Sequence, residues 1–229
     1  MDKINVCCVK EGDKYDSDYV NTLYLMVKRH LTIPFNFICL TENSQNLIEE
    51  INIINLEDRS IKGWWNKCLL FKPGLLTGSC LYLDLDMIIL KNIDEFLIEN
   101  EHLNILCNPI SFNEKIYYNI NSSMLFWNTN IKELNKIFFQ YEQNKIFYDT
   151  HKPSKNEVVG DQRVILESKI KYKFFPTHKI RYMKFLKQFG VEFEKLIVED
   201  VPHSAKKLYE KQGDVLMKFH ARNFSGESQ

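Results

Sequence analysis

The 229-residue chain carries 30 basic and 30 acidic side chains, so its formal net charge is zero. This balance argues against a dedicated nucleic-acid binder, whose affinity would come from neutralising phosphates, and any electrostatic function must be local. The length suits one domain, 1–229, with a self-supporting core.

Six scattered cysteines form no Cys-x-x-Cys pair and are expected to be buried thiols in a reducing compartment. No window approaches the roughly 18 apolar residues of a membrane span, and the N-terminus has no signal-peptide pattern. We therefore expect a cytoplasmic protein without a transmembrane segment.

Strand-like and helix-like segments alternate through the first two-thirds of the chain, which predicts an α/β fold with a mostly parallel sheet flanked by helices. In chain order, the predicted strands cover 4–9, 35–40, 51–56, 80–90, 103–107 and 122–127. Predicted helices cover about 20–31, a short segment from Ser44 to Glu50, 64–71, 131–145 and a segment that begins at 160–162.

Two carboxylates, Asp84 and Asp86, stand at the end of an apolar β-type run within the stretch 80–90. Residues i and i+2 of a strand share a face, so both carboxylates would lie side by side. A divalent cation relieves their repulsion, and hard oxygen ligands favour Mg²⁺ or Mn²⁺, whose open positions suit the phosphates of a nucleotide. The alternative is a strand that ends in solvent.

From 168 to 187 the chain becomes basic and rich in aromatic residues, with no acidic residue after Ser168 in that window. It is either a solvated face whose aromatics pack inward or a surface for an anionic acceptor or lipid headgroups. The basic residues are Lys169, Lys171, Lys173, Lys179, Arg181, Lys184 and Lys187.

Several separated motifs together resemble the GT-A glycosyltransferases of the glycogenin-like family 8 type, including small bacterial members. They are Lys67 after Gly63-Trp-Trp-Asn, the Tyr82-Leu-Asp-Leu-Asp86 segment, Asn121-Ser122-Ser123, Gly160-Asp161-Gln162 and Lys218-Phe219-His220. The resemblance spans essentially the whole chain and implies a GT-A, Rossmann-like nucleotide-diphospho-sugar transferase fold.

The resemblance also implies site residues. Asp84, Asp86 and His220 would bind Mn²⁺ or Mg²⁺, Lys67 would contact the sugar nucleotide, and Asn121 with Ser122 would contact the donor sugar. Asp161 and Gln162 would lie beside the anomeric carbon of a retaining reaction. The base would bind near the first strand, at Val9, Lys10, Tyr15 and Tyr19, with one tyrosine stacked on it.

The tail after His220 departs from the family's Gly and Lys-Pro ending, and Arg222 is the candidate replacement as a diphosphate clamp. One ring of the pair Trp64-Trp65 either faces the donor or acceptor or packs in the core with its neighbour. Segment 168–229 is expected to contribute to the acceptor side and the last metal ligand.

The expected function is metal-dependent transfer of a hexose from a UDP-sugar to a glycan or glycolipid acceptor in bacterial surface glycan synthesis, with peripheral membrane contact through 169–187. One alternative is a sugar-nucleotide-binding scaffold without turnover. A second is a haloacid-dehalogenase-type phosphatase, against which Ile88 and the absence of a later acidic pair argue.

Overall fold

The computed structural model describes residues 3–56, 60–98, 101–112, 115–154, 157–176, 180–182 and 216–218. Side chains are described for these residues except 108–112, 115–118, 180–182 and 216–218. Several predicted site residues lie outside the described residues, namely His220, Arg222, Lys179, Lys184 and Lys187.

Strands and helices alternate along the described chain as the sequence predicts. The strands are β1 Ile4–Lys10, β2 Phe35–Thr41, β3 Asn52–Asn55, β4 Ser79–Leu83, β5 Met87–Ile89, β6 Leu103–Phe112, β7 Lys115–Asn128, β8 Tyr172–Phe174, β9 Ile180–Tyr182 and β10 Leu216–Lys218. The α-helices are α1 Ser17–His30, α2 Asn135–Gln143, α3 Lys145–Thr150 and α4 Asp161–Glu167, and the 3₁₀ helices are Gly63–Phe71, Asp94–Phe96 and Lys132–Leu134.

A seven-stranded sheet in the order β3-β2-β1-β4-β7-β6-β8 forms the centre of the fold. Strand β7 is antiparallel to both neighbours, and the other six strands share one direction. The predicted mostly parallel sheet is therefore confirmed. A smaller sheet joins β5, β10 and β9.

Both faces of the large sheet are covered by apolar side chains, as in a sheet with helices on each side. Val6 and Cys8 of β1 belong to one buried cluster with α1, whereas Cys7 belongs to the other with the 63–71 helix, α2 and α4. Successive side chains of the strand thus point to opposite faces of the sheet and pack into two separate cores. All six cysteines are buried free thiols, as expected.

Helix α1 shows why these residues form this element. Asp16 caps its N-terminus by accepting hydrogen bonds from the backbone N–H groups of Asp18 and Tyr19. Val20, Leu23 and Val27 are fully buried at helical spacing, and burial of each such side chain contributes about 1.5–3 kcal/mol. Leu31 ends the helix in an extended conformation, three residues before Pro34.

The single strand predicted for 80–90 is wrong. Strand β4 ends at Leu83, a turn follows in which the Met87 N–H donates to the Asp84 carbonyl at 3.1 Å, and β5 then joins the other sheet. Apolar alternation continues through the turn, with Leu85 and Met87 buried, and alternation alone does not reveal a turn. Asp84 and Asp86 therefore lie in a turn.

Two helix predictions also need correction. Segment 44–50 forms turns, because its apolar residues Leu47 and Ile48 pack on the core without a helical hydrogen-bond ladder. The helix predicted for 131–145 is divided into a 3₁₀ turn, α2 and α3, with Asn144 at the break, where its side chain donates to the Gln140 carbonyl at 2.9 Å.

Candidate functional site

Lys67 stands on the 3₁₀ helix Gly63–Phe71, whose buried face anchors it to the core. Asn66, Cys68, Leu70 and Phe71 are buried on that face. The Asn66 amide donates to the carbonyls of Ile61 and Gly63, both at 3.3 Å, and so braces the turn where Gly63 has φ +55°. Only about 13% of the Lys67 side chain is exposed.

The turn that carries Asp84 and Asp86 is fixed to β7. The Asp84 N–H donates to the Ser123 carbonyl at 2.8 Å. Strand β7 is irregular there. Ile105 of β6 pairs with Leu125 of β7, but the next residue of β6, Leu106, pairs with Asn121. The bulge brings Ser122 and Ser123 next to the end of β4.

Lys67 joins the aspartate turn to the start of α4. Its ammonium lies 2.9 Å from Asp84 Oδ1, 3.6 Å from Asp161 Oδ2 and 3.4 Å from the Ser122 hydroxyl. The structure thus brings together four residues that are separated by up to 94 positions in the sequence. Asp161 is 4% exposed, and Gln162 follows it half-buried.

Tyr82 completes the surroundings of Asp84. Its hydroxyl donates to Asp84 Oδ1 at 2.6 Å, and Lys67 Nζ lies 5.3 Å from its ring centroid. The same oxygen of Asp84 therefore contacts the Lys67 ammonium and accepts a hydrogen bond from the Tyr82 hydroxyl. These two contacts orient the carboxylate. The sequence analysis did not select Tyr82, although a tyrosine two residues before an aspartate in a strand shares its face.

Charge in the site keeps Lys67 protonated. Burial lowers the pKa of Lys67, but Asp161, Asp84 and Asp86 outweigh it, so that the pKa lies above its usual value. Burial and then Asp84 raise the pKa of Tyr82, which stays a neutral donor. Three carboxylates therefore act on one ammonium, and this excess of negative charge favours a bound cation.

The residues present fit a divalent metal ion. Asp84 and Asp86 are half-buried within one turn, and the charges of both raise the pKa values of Lys67 and Tyr15. Carboxylate oxygens are the ligands that Mg²⁺ and Mn²⁺ prefer. Within the described part of the chain, no group of three His, Cys, Asp or Glu gathers around such an ion. His220, which lies outside the described residues, stays the predicted third ligand.

Asn121 lies beside the turn, but its side chain has a structural partner. Its Oδ1 accepts hydrogen bonds from the backbone N–H of Ser123, at 2.9 Å, and from the Ser123 hydroxyl. The residue is 6% exposed. Asn121 therefore holds the bulge that positions Ser122 against Lys67, and its predicted contact with a donor sugar stays a prediction.

The segment after β1 distinguishes the two candidate tyrosines. Burial, followed by Asp86 and Asp84, raises the pKa of Tyr15, which thus faces the aspartate turn. Tyr19 is 42% exposed and meets Tyr15 edge-on, with ring centroids 4.9 Å apart. Lys10 is buried and Val9 half-buried at the end of β1. Tyr15 is accordingly a tyrosine on which both carboxylates of the candidate metal site act.

Two glutamates that the sequence analysis missed fix this segment. Glu42 Oε1 accepts from the Gly12 N–H at 2.7 Å, and Glu11 Oε2 accepts from the Gly63 N–H at 2.8 Å. Glu11 thereby ties the segment after β1 to the helix that carries Lys67. No local sequence signal marks such contacts, since each joins residues far apart in the chain.

The two tryptophans of the pair lie in different surroundings. Trp65 stacks on Tyr141 with ring centroids 5.6 Å apart, whereas Trp64 is 53% exposed. Of the basic segment, Lys169, Lys171 and Lys173 are exposed, and Phe175 is buried in the core.

None of the helices in the described part of the chain is both long enough and apolar enough to cross a bilayer.

No protein-family profile and no curated protein matches the chain.

Comparison of structures finds 248 matching chains. Among them, the galactosyltransferase LgtC in complex with donor and acceptor sugar analogues has a TM-score of 0.59 at 12% identity, over 95% of this chain and 87% of that one. An active-site mutant of LgtC gives a TM-score of 0.57 at 11% identity, over 95% and 88%. The glycosyltransferase GlyE of Streptococcus pneumoniae gives 0.56 at 16% identity, over 92% of this chain and 61% of that one. The chain therefore has the GT-A fold of these glycosyltransferases.

Proposed function

We propose that this protein is a retaining glycosyltransferase of the glycogenin-like family 8 type, which moves a hexose from a UDP-sugar to a carbohydrate acceptor with the help of Mn²⁺ or Mg²⁺. The observation that carries the proposal is the contact of Lys67 with both Asp84 and Asp161, at 2.9 and 3.6 Å, at the carboxyl end of β4 in a GT-A fold. In such sheets ligands bind where the carboxyl ends of the strands meet.

On the donor side, Asp84 and Asp86 would hold the metal together with His220. When bound, the metal supplies a Lewis acid that neutralises charge on the departing nucleoside diphosphate. Lys67 is poised to bind the same diphosphate, with Arg222 as a second cationic clamp. Tyr15 and Tyr19 would bind the base beside Val9 and Lys10.

At the sugar, Asp161 supplies a carboxylate and Gln162 an amide oxygen to the positive charge that develops at the anomeric carbon. Asp161 is nearly inaccessible and bound to Lys67, so its carboxylate is held in place before the donor arrives. Asn121 and Ser122 complete the donor-sugar side. Such pre-orientation is what transition-state stabilisation by fixed groups requires.

We place the reaction in the cytoplasm, at the inner face of the membrane, in bacterial surface glycan synthesis. The acceptor would be a glycan or glycolipid that the basic segment 169–187 meets. The exposure of Lys169, Lys171 and Lys173 supports this role. Replacing these three lysines with glutamine should raise the acceptor KM and leave the donor KM unchanged; a raised donor KM instead would contradict the assignment.

The test of the reaction class is donor hydrolysis over a panel of UDP- and GDP-sugars, with Mn²⁺ or with EDTA. We expect release of UDP from one sugar, dependent on metal and lost in Asp86→Asn. Glu133→Gln is the matched control, because Glu133 forms an exposed ion pair with Lys136 on the surface. This variant should hydrolyse the donor as wild type does.

The other outcomes identify the alternatives. Binding of UDP and Mn²⁺ by calorimetry without hydrolysis or transfer would favour the non-catalytic scaffold. Phosphate release from a phosphomonoester, with no UDP release, would favour the phosphatase. Either result would refute the proposed transferase.

A further inference from the structure

A cavity of about 160 Å³ opens between the start of the 63–71 helix, α3 and the start of α4. It exceeds the ~10–15 Å³ of such space that a cavity needs to hold one water molecule, so it has room for a ligand larger than water. No residue of the cavity belongs to the donor and metal site described above. Its walls include Trp64, Trp65, Tyr148, His151, Val159 and Arg163.

Trp64 connects this cavity to the reacting groups. Residues i and i+3 of a 3₁₀ helix eclipse each other, with a rise of about 2 Å per residue, so Trp64 and Lys67 share one side of the helix about 6 Å apart along its axis. Lys67 contacts Asp161, and Trp64 packs on Gly160, where a Cβ atom would lie only 3.1 Å from the indole ring. The indole therefore flanks the residue that precedes Asp161.

The cavity walls are held rigidly. Trp65 packs on Tyr141 and Tyr148, with ring centroids 5.6 and 5.4 Å away. The Tyr148 hydroxyl donates to Glu167, and Arg163 binds Glu167 at 2.7 Å. A preformed site of this kind loses little conformational freedom when a ligand binds.

The opposite rim of the cavity is also fixed by ion pairs. Arg163 binds Glu157 as well, and the His151 ring lies 2.9 Å from the same carboxylate. The Arg163 guanidinium lies 4.9 Å from the Phe147 ring centroid. Polar atoms therefore line the cavity beside the aromatic rings, in positions that the neighbouring ion pairs determine.

Exposed indole distinguishes this cavity from an ordinary surface depression. Trp64 is 53% exposed and Val159 is 41% exposed. The large apolar surface of an indole normally contributes most to stability when it is buried. An aromatic face next to fixed polar groups suits a ligand with an apolar face and a hydroxylated edge. A pyranose ring has both.

We propose that this cavity is a carbohydrate subsite, in which the acceptor's sugar stacks on Trp64 and its hydroxyls meet His151 and Arg163. The inference rests on the proposed transferase function and names the place where its acceptor binds. Trp64 acts as a binding residue that also positions the acceptor relative to Asp161. The contact with Gly160 links the two.

The binding test uses saturation-transfer-difference NMR with methyl β-D-glucopyranoside and methyl β-D-galactopyranoside as probes, on the full chain without donor. Wild type should give signals from the sugar ring protons. Trp64→Ala should weaken binding by about tenfold, the order of one lost aromatic contact, and Trp64→Phe should retain part of it. Phe139→Ala is the control, since Phe139 is 46% exposed on α2 and outside the cavity.

The transfer test compares sugar transfer to the same methyl glycosides with donor hydrolysis. We expect the ratio of transfer to hydrolysis to fall about tenfold in Trp64→Ala and to stay at the wild-type value in Phe139→Ala. If Trp64→Ala unfolds at the assay temperature, Trp64→Phe supplies the comparison.

The two proposals fail differently. Absence of hydrolysis in wild type, with probe binding that Trp64→Ala abolishes, would refute the transferase and leave a sugar-binding cavity. Active donor hydrolysis, with no probe binding in wild type or with equal binding and transfer in Trp64→Ala, would overturn the subsite and leave the transferase.

Discussion

Lys67 and Asp84 form a contact of 2.9 Å between two largely buried side chains, with 13% and 17% of their surfaces exposed. The ammonium also reaches Asp161 at 3.6 Å, so one side chain spans the aspartate turn and the first residue of α4. The candidate metal turn and the candidate catalytic residues are therefore parts of one electrostatic unit.

Lys67→Met should lower donor hydrolysis by about 10²–10³-fold, the usual effect of removing one preorganised donor from a reacting centre. Methionine keeps an unbranched apolar stem and removes the charge that Asp84 and Asp161 share. Steady-state UDP release measures the loss. Lys62→Met is the matched control, because Lys62 is 67% exposed and pairs with Glu11 at 3.5 Å; equal losses in both variants would contradict a specific role for Lys67.

Much of the fold follows from local pattern, because alternating strands and helices predict a parallel sheet with two apolar faces. Where a local pattern has two structural solutions, prediction fails. The run from Cys80 to Leu90 alternates as one strand would, yet the chain turns at Asp84 and its two parts join different sheets. The turn depends on the Asp84 N–H bonding to Ser123, which no local pattern reveals.

Family resemblance selects a set of candidate site residues, but the sequence does not predict their geometry. Lys67, Asp84 and Asp161 were selected through family resemblance, and the structure brings these three together. The sequence analysis did not select Tyr82, which donates to Asp84. It also missed Glu11 and Glu42, because each of them accepts a hydrogen bond from a residue far away in the chain or in another segment. Asn121 was selected as a sugar contact, but its side-chain oxygen accepts hydrogen bonds from Ser123.

Tyr82→Phe should weaken Mn²⁺ binding by about 10- to 100-fold, as for other groups that orient a metal ligand. The substitution removes only the hydroxyl that donates to Asp84 Oδ1 at 2.6 Å, and the buried ring stays in the core. Calorimetric titration with Mn²⁺ and UDP measures the affinity. Tyr24→Phe, in the buried face of α1, is the control; wild-type affinity in Tyr82→Phe would show that the hydroxyl does not orient Asp84.

Protonation of Glu157 should make the protein less stable in acid. Hydrogen bonds from the Ser154 backbone and His151, with the charges of His151 and Arg163, lower its pKa from 4.5 to about 2. A lowered pKa means that the carboxylate stabilises the fold above pH 4.5 and that this contribution is lost as the pH falls towards 2.

Thermal unfolding of Glu157→Gln tests this linkage. The variant should melt below wild type at pH 6, and the difference should shrink strongly by pH 2, as the wild-type carboxyl becomes protonated. Glu133→Gln supplies the comparison with an exposed pair. A gap between Glu157→Gln and wild type that is the same at both pH values would contradict the assignment.

Gly160→Ala should destabilise the protein by about 1–3 kcal/mol more than Gly78→Ala, the usual cost of overpacking. Both glycines have positive φ, +68° and +76°, so an alanine at either position carries backbone strain. They differ in space, because a Cβ at Gly160 meets the Trp64 ring at 3.1 Å and one at Gly78 meets nothing within 4 Å. Because ψ at Gly160 is −154°, only the part of the excess that disappears when the indole is removed reports the contact between Gly160 and Trp64. Chemical denaturation of the two variants, and of both double variants with Trp64→Ala, measures the excess destabilisation. Removing the indole should abolish the excess at Gly160 and leave the effect of Gly78→Ala unchanged. An excess that persists without the indole would place its origin in the backbone of the turn that precedes Asp161.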